Sequence, residues 1–204
     1  MSQLDLFSQA DKQPQWISIN NGEYLYLPNF FNIEEANRHF KALMNDIEWK
    51  QESMNMYGRN IPFPRLTAWY GDNDKPYSFS GITLAPLKWN ETLLKIKQKI
   101  QHLAETSFNS VLLNRYRNGN DSISWHTDAE KELGTNPLIA SVNFGATRKF
   151  QLRHRESKEK IELELSHGSL LIMAGELQHY WQHQVPKTKK VVNERINLTF
   201  RVIK

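Results

Sequence analysis

The chain contains no cysteine. Disulfides, thiolate zinc sites and cysteine-ligated iron–sulfur clusters are therefore excluded. A reducing compartment fits this, the cytoplasm or, in a eukaryote, the nucleus. No apolar run is long enough to span a bilayer, so no membrane partner is expected. The segment Met1 to Ala10 carries Asp5 and no basic residue, unlike a signal or transit peptide. Internal repeats and low-complexity tracts are missing, and no shift in composition marks a domain boundary. Neither sign of charge dominates: 26 Lys and Arg against 22 Asp and Glu leave +4, a weak pointer to an anionic partner.

What is present is ample apolar material. Of 204 residues, 39% are hydrophobic, enough to bury one sizeable core. Residues 1–20 are polar and patternless and read as a loose arm, leaving 21–204 as a single domain. Tyr24 to Phe30 reads as a strand. Asn32 then suits a helix N-cap, with Glu34 and Glu35 in the first turn and Phe40, Leu43, Met44 and Ile47 at helical spacing. Leu87 to Thr106 is a second amphipathic helix. Between the helices, residues 51–80 show no clean period; long stretches of this kind tend to be functional, here a candidate lid.

Beyond residue 109 the pattern turns to short strands: Ser110–Tyr116, Ser122–His126, Leu138–Phe144, Thr147–Arg153, Ile161–Leu165, Leu170–Met173, Tyr180–Val185 and Arg195–Val202. Helices first and strands after give an α+β class, with a sandwich or barrel covered on one face by the N-terminal helices.

The last of these strands alternates without a break. Ile196, Leu198, Phe200 and Val202 share one face; Arg195, Asn197, Thr199 and Arg201 share the other. Two guanidiniums with an amide and a hydroxyl suit a small dianion, because the guanidinium fork matches a carboxylate. Upstream, His126 and Asp128 stand two apart and so share a face if they lie on one strand. With one distant His they make the 2-His-1-carboxylate triad of non-haem iron(II) oxygenases. Spacing alone leaves His179 and His183 as that His. His183 is preferred because Trp181 to Val185 is the more strand-like part, whereas His179 adjoins the Gly175–Gln178 turn. Iron(II) so held needs electrons from elsewhere to activate O2. 2-Oxoglutarate supplies them on decarboxylation, with Arg195 assigned to its far carboxylate and Arg201 to the end near the metal. Asn114 and Tyr116 share a face and are expected to assist.

With Asn114-Arg115-Tyr116, His126-Thr127-Asp128, Ser141 to Arg148, Trp181-Gln182-His183 and Arg195 to Arg201, the chain resembles the AlkB family of iron(II)- and 2-oxoglutarate-dependent DNA and RNA repair dioxygenases. The likeness is closest to the animal-type members and is traced from about Pro64-Arg65 to the C-terminus. It implies a double-stranded β-helix (jelly-roll) fold. It also implies oxidation of N-methyl groups on alkylated bases, with release of formaldehyde. Residue by residue, it implies that Phe79, in Tyr77-Ser78-Phe79, stacks on a flipped base, with His126 as the opposite wall and Tyr77 as a hydrogen-bonding partner. Tyr57-Gly58-Arg59 falls where duplex-acting relatives carry a finger that fills the vacated stack. Ala129 departs from relatives with a second acid directly after the metal Asp; the nearest acid here is Glu130. Lys187, Lys189 and Lys190 form a basic loop suited to phosphate contact.

Two other readings compete. One is an iron(II)/2-oxoglutarate hydroxylase of a protein or small molecule. The other is a non-catalytic β-sandwich binding module, against which the triad and the paired arginines argue. The preferred expectation is a monomer acting on alkylated DNA, with RNA as the second candidate nucleic acid.

Overall fold

Two facing antiparallel sheets form the body of the computed structural model, which describes residues 14–56, 58–72, 77–79, 82–84 and 86–204. In chain order the elements are β1 (Ile17–Ile19), β2 (Gly22–Leu27), α1 (Ile33–Asp46), β3 (Ser53–Met56), β4 (Arg59–Pro62), β5 (Leu66–Gly71), β6 (Tyr77–Phe79), β7 (Ile82–Leu84) and α2 (Glu91–Ala104). Then come β8 (Ser110–Tyr116), β9 (Ile123–His126), a 3-10 turn (Lys131–Leu133), β10 (Ile139–Gly145), β11 (Arg148–His154) and β12 (Lys160–Leu165). The chain closes with β13 (Ser169–Ala174), α3 (Leu177–Tyr180), β14 (Trp181–Val185) and β15 (Arg195–Arg201). The larger sheet runs β1-β2-β13-β10-β15-β8-β5 and the smaller β12-β11-β14-β9. This is the expected jelly-roll sandwich.

Strand parity divides the core into two layers. Val111 and Leu113 of β8, Val142 and Phe144 of β10, Ile172 of β13 and Ile196, Leu198 and Phe200 of β15 face α1 and α2. There they pack with Leu43, Leu93, Ile96 and Ile100. Residues of opposite parity, Leu112, Tyr116, Ile139, Leu171 and Met173, face the smaller sheet and meet Phe150, Leu152, Trp181 and Val185. β15 is buried on both faces, so its polar row points into the sandwich rather than to water.

Caps set the helix starts. The Asn32 side chain accepts from the Glu35 N–H at 2.9 Å, while the Glu35 carboxylate accepts from the Asn32 N–H at 3.2 Å, a reciprocal capping box. Asn90 accepts from the Leu93 N–H at 2.9 Å, so α2 begins at Glu91 rather than at Leu87. Leu87 is held instead by the Trp69 carbonyl at 2.9 Å.

Two expectations need correction. Ile17–Ile19, placed in a loose arm, pairs with β2 as an edge strand. Leu66–Gly71, placed in an irregular lid, is the opposite edge of the larger sheet, paired along its whole length with β8. Its burial on both sides removes the polar alternation that would have marked it. The rest of the expected lid contains the β3–β4 pair and β6, whose partner β7 lies just beyond residue 80.

Replacing Asn32 with Ala is expected to lower stability by about 1 kcal/mol, as loss of an N-cap does. Asn32→Asp should stay near the parent in the same urea titration; equal stability of all three proteins would show that the cap adds nothing.

Candidate active site

His126 is the last residue of β9 and His183 lies in the middle of β14; the two pair directly across the ladder. Their rings meet at 4.2 Å between centroids. The next pairing is Val185 with Ile123, so two steps along β14 match three along β9. This bulge bends β9 next to the histidine, a common device beside active sites. The Ser124 carbonyl inside it accepts a hydrogen bond from His126 Nδ1 at 2.8 Å. A carbonyl only accepts, so Nδ1 carries the proton and Nε2 keeps its lone pair for the cavity.

Asp128 stands two residues past the end of β9. Its carboxylate reaches His126 from a loop and not from a shared strand face, because the ladder has already stopped. The result is the same cluster by another route. His126 Nε2 and Asp128 Oδ1 are 3.9 Å apart, and one ligand atom from each of His126, Asp128 and His183 lies within 4.8 Å of the others. His179 lies elsewhere: it is exposed on α3 and its Nε2 accepts from the Asn136 N–H at 3.4 Å.

Burial alone would raise the Asp128 carboxyl pKa. Arg201, with a guanidinium 2.8 Å from Oδ2, outweighs it together with His183 and His126, so the group is held well below the ordinary carboxylate range. Burial pushes the His183 imidazole down to about 3, reinforced by His126 and Arg201 and opposed by Asp128. Both groups therefore sit in their ligating forms, carboxylate and neutral imidazole, at neutral pH. Asp128 Oδ1 and His183 Nδ1 are buried and have no hydrogen-bond partner among the described residues. Two imidazoles and a carboxylate with lone pairs left over fit a divalent iron site with open positions.

The triad lines a cavity between the sheets that continues past Arg201, Thr199, Asn197 and Ser141 to Arg195, Asn114 and Tyr116. Leu112, Ile123, Phe150, Met173 and Val185 supply its apolar wall. Arg195 is 1% exposed. Its Nη2 donates to Asn143 Oδ1 at 2.6 Å, yet Nε and Nη1 find no partner and no carboxylate among the described residues pairs with it. The guanidinium lies 4.9 Å over the Tyr116 ring, whose surroundings also include Arg148 at 5.7 Å. A buried guanidinium with unused donors facing a cavity fits an incoming carboxylate, as 2-oxoglutarate would bring.

Other expected contacts are distributed differently. Asn197 donates to Ser141 Oγ at 2.8 Å and to Asn143 Oδ1 at 3.2 Å, and accepts from the Thr199 hydroxyl at 3.1 Å. Asn197 and Thr199 thus line the cavity while bracing Asn143, the residue that grips Arg195. Asn114 Oδ1 accepts from Arg65 Nε at 2.7 Å, which turns its NH2 group away from Arg65. Ala129 is exposed and Glu130 half-buried; neither lines this cavity. Gly58, at φ +75°, and Arg59 lie exposed at the tip of the β3–β4 hairpin. Tyr57 lies outside the described residues, and Tyr77, Ser78 and Phe79 are described as strand β6 without their side chains.

Two buried arginines escape the sequence reading. Arg65, 5% exposed, stacks 4.7 Å over Phe63 and braces Asn114. Arg148 donates to the carbonyls of Asn118, Asp121 and Pro186 at 3.2, 2.9 and 2.6 Å, tying the turn before β9 to the loop that carries Lys187, Lys189 and Lys190. Arg148 shares the inward parity of Phe150 and Leu152, which was an available signal; Arg65 precedes its strand and offered none.

A jelly roll with this triad and a buried arginine at the far end of one cavity defines a class of iron and 2-oxo-acid oxygenases. The chain belongs to the 2OG-Fe(II) oxygenase superfamily, which matches residues 23–201 and so reaches well upstream of Pro64. It is 43% identical over 186 residues to the bovine (Bos taurus) "Alpha-ketoglutarate-dependent dioxygenase alkB homolog 3", covering 86% of this chain and 64% of that relative. The human (Homo sapiens) form is 41% identical over the same length. It is 39% identical over 184 residues to the bovine "DNA oxidative demethylase ALKBH2", covering 85% of this chain and 66% of that one. The chain thus spans a little under two thirds of these curated relatives. Among solved structures, "The structure of OsALKBH1" superposes with a TM-score of 0.62 at 19% identity, covering 91% of this chain and all of that one, a likeness of fold.

The depressed His183 pKa has a consequence for the metal-free protein. The unfolded chain takes up this proton near pH 6.5 and the folded one only near 3. The neutral His183 therefore supports full stability above about pH 6.5, and stability is lost as pH falls from there toward 3. His39 and His167, lowered by burial, act in the same direction. His183→Gln should flatten the fall in stability between pH 7 and 5 in urea titrations; a slope equal to the parent's would refute the buried neutral assignment.

Proposed function

We propose that this protein is an iron(II)/2-oxoglutarate-dependent dioxygenase that oxidatively demethylates N-alkylated bases, of the 1-methyladenine and 3-methylcytosine type, in DNA. RNA is the second substrate to test. The observation that carries the reading is one cavity with a His-Asp-His cluster at one end and the unused Arg195 donors at the other. The names of the similar proteins, dioxygenase and DNA oxidative demethylase, point to the same chemistry.

His126, Asp128 and His183 would hold the iron. Arg195 would receive the far carboxylate of 2-oxoglutarate through Nε and Nη1, with Tyr116 and the Asn114 NH2 group beside it. When bound, iron(II) and 2-oxoglutarate together reduce O2, yield succinate and CO2, and place one oxygen atom on the substrate methyl group; the resulting hydroxymethyl amine releases formaldehyde. The chain's own residues prepare this. Ser124 sets the His126 tautomer, Arg201 keeps Asp128 ionised, and the apolar wall limits water.

On the substrate side, enzymes that act on a base extrude it from the stack. Phe79 would stack on that base opposite His126, with Tyr77 hydrogen-bonding to it and Ser78 beside them. Tyr57, Gly58 and Arg59 would form the finger at the tip of β3–β4. Ala129 and Glu130 lie directly after the metal Asp, where relatives with a second acid read the base, and Lys187, Lys189 and Lys190 would meet phosphates. The reading takes the chain from β1 onward as one working domain and the protein as a monomer of the cytoplasm, or of the nucleus in a eukaryote. Among the described residues no helix is long and apolar enough to cross a membrane.

The decisive experiment is formaldehyde release from methylated single- and double-stranded oligonucleotides with iron(II) and 2-oxoglutarate. Turnover is expected with the parent and abolished in His126→Ala, Asp128→Ala and His183→Ala, but retained in His179→Ala. Uncoupled succinate production with no release from any oligonucleotide would point to a hydroxylase of another substrate class.

Arg195→Lys loses the planar fork and is expected to raise the KM for 2-oxoglutarate by at least about tenfold, a loss of roughly 1.4 kcal/mol. An unchanged KM would remove Arg195 from the co-substrate site. Phe79→Ala should weaken every substrate, since stacking is worth roughly 1–3 kcal/mol per base, whereas Tyr57→Ala should harm duplex repair alone. Equal losses on both strand forms for Tyr57→Ala would end the finger assignment.

A further inference from the structure

The segment that carries Asp128 is held unusually lightly. β9 ends at His126, and among the described residues no backbone–backbone hydrogen bond anchors residues 127–129. A carboxylate on such a segment needs a second constraint besides its own side-chain partner. Arg201 fixes the carboxylate through Oδ2 at 2.8 Å but leaves the backbone free to shift. The missing constraint is Gln178, whose Oε1 accepts from the Asp128 N–H at 2.9 Å.

Gln178 is placed for this and for little else. It is 1% exposed, the second residue of the one-turn helix α3 between β13 and β14. A backbone N–H only donates, so the amide must turn Oε1 toward Asp128. Nε2 then points at the Met173 sulfur 3.8 Å away, on the wall of the same cavity. Sulfur is a weak acceptor, so this second contact orients the amide more than it binds it. α3 leads straight into β14, which carries His183 five residues later. One side chain thus ties the Asp128 loop to the strand that delivers His183, two parts of the triad that no ladder joins directly.

We infer that Gln178 is a positioning residue for the metal site: it sets the backbone of Asp128, and through it the bite of the triad, without touching metal, co-substrate or substrate. This rests on reading His126, Asp128 and His183 as a metal site. Outer contacts that orient ligands commonly carry about 10–100-fold in metal affinity.

The test is anaerobic titration of the metal-free protein with cobalt(II), read from the visible absorption of the bound ion, without 2-oxoglutarate. Gln178→Met keeps the volume and removes the acceptor; it is expected to weaken cobalt(II) binding by about 10–100-fold and to alter the absorption bands. Gln178→Asn keeps an amide but falls one methylene short, and should weaken binding as well, which preserves the test if the Met variant does not fold. Leu177→Ala is the control. It opens a gap under the same helix turn, since Leu177 is fully buried, but leaves the Asp128 contact in place. It should lower the Tm while leaving cobalt(II) affinity and spectrum near the parent's. Parent-like binding in the Gln178 variants would overturn the inference. So would an equal loss in Leu177→Ala, which would make the effect one of helix stability alone. Failure of the parent itself to bind cobalt(II) would defeat the metal reading instead, a separate outcome.

Discussion

Buried charge, and where it finds its counter-charge, organises this molecule. A guanidinium or carboxylate taken out of water is strongly disfavoured unless matched by an opposite charge or a full set of hydrogen bonds. At one end of the cavity the match is internal: Arg201 and Asp128 pair at 2.8 Å, and the pairing keeps a buried carboxyl ionised. At the other end it is not. Arg195 is buried with an amide and an aromatic ring for company, and burial works against its charge. On the proposed function, the fold can carry that arrangement because the missing anion would arrive with the co-substrate. Substrate recognition and the relief of an unfavourable burial are then one event.

The scaffold that makes this possible is a strand with two dissimilar faces. β15 sits inside the larger sheet between β10 and β8, in continuous antiparallel register with both. Its apolar row locks against the helices, and its polar row is thereby held in the cavity with the rigidity of the core. The smaller sheet supplies the complementary half, two histidines brought together edge to face by direct pairing of β9 and β14 and aimed by one bulge.

How much of this could be read from the sequence follows from the same physics. β15 was legible because its two faces differ in chemistry at every residue. The triad was legible from residue types and spacing, although the reason offered for His126 and Asp128, a shared strand face, fails because the strand stops at His126. β5 was not legible as a strand, since a strand buried on both sides loses its alternation. Arg65 and Gln178 were not legible either, and for Arg148 strand parity signalled burial but not its partners. Their partners are an amide, loop carbonyls and a backbone N–H from distant segments, and no local pattern encodes such contacts. The same holds for Asn197, whose side-chain amide is spent on Ser141 and Asn143. Tyr57 and Phe79 came from their place in an irregular aromatic stretch together with family likeness.

The double burial of β15 also constrains how this protein can change over generations. Any substitution that reshapes the arginine row disturbs the central packing of the larger sheet, so drift toward a different co-substrate would jeopardise folding before it improved binding. The β3–β4 and β6–β7 pairs carry no such burden in their backbone: among the described residues their strands ladder only with each other, outside both large sheets. Inheritance is thereby partitioned. On the proposed function, the oxidising chemistry would be locked into the part that must fold, and the choice of what to oxidise left to parts under less constraint.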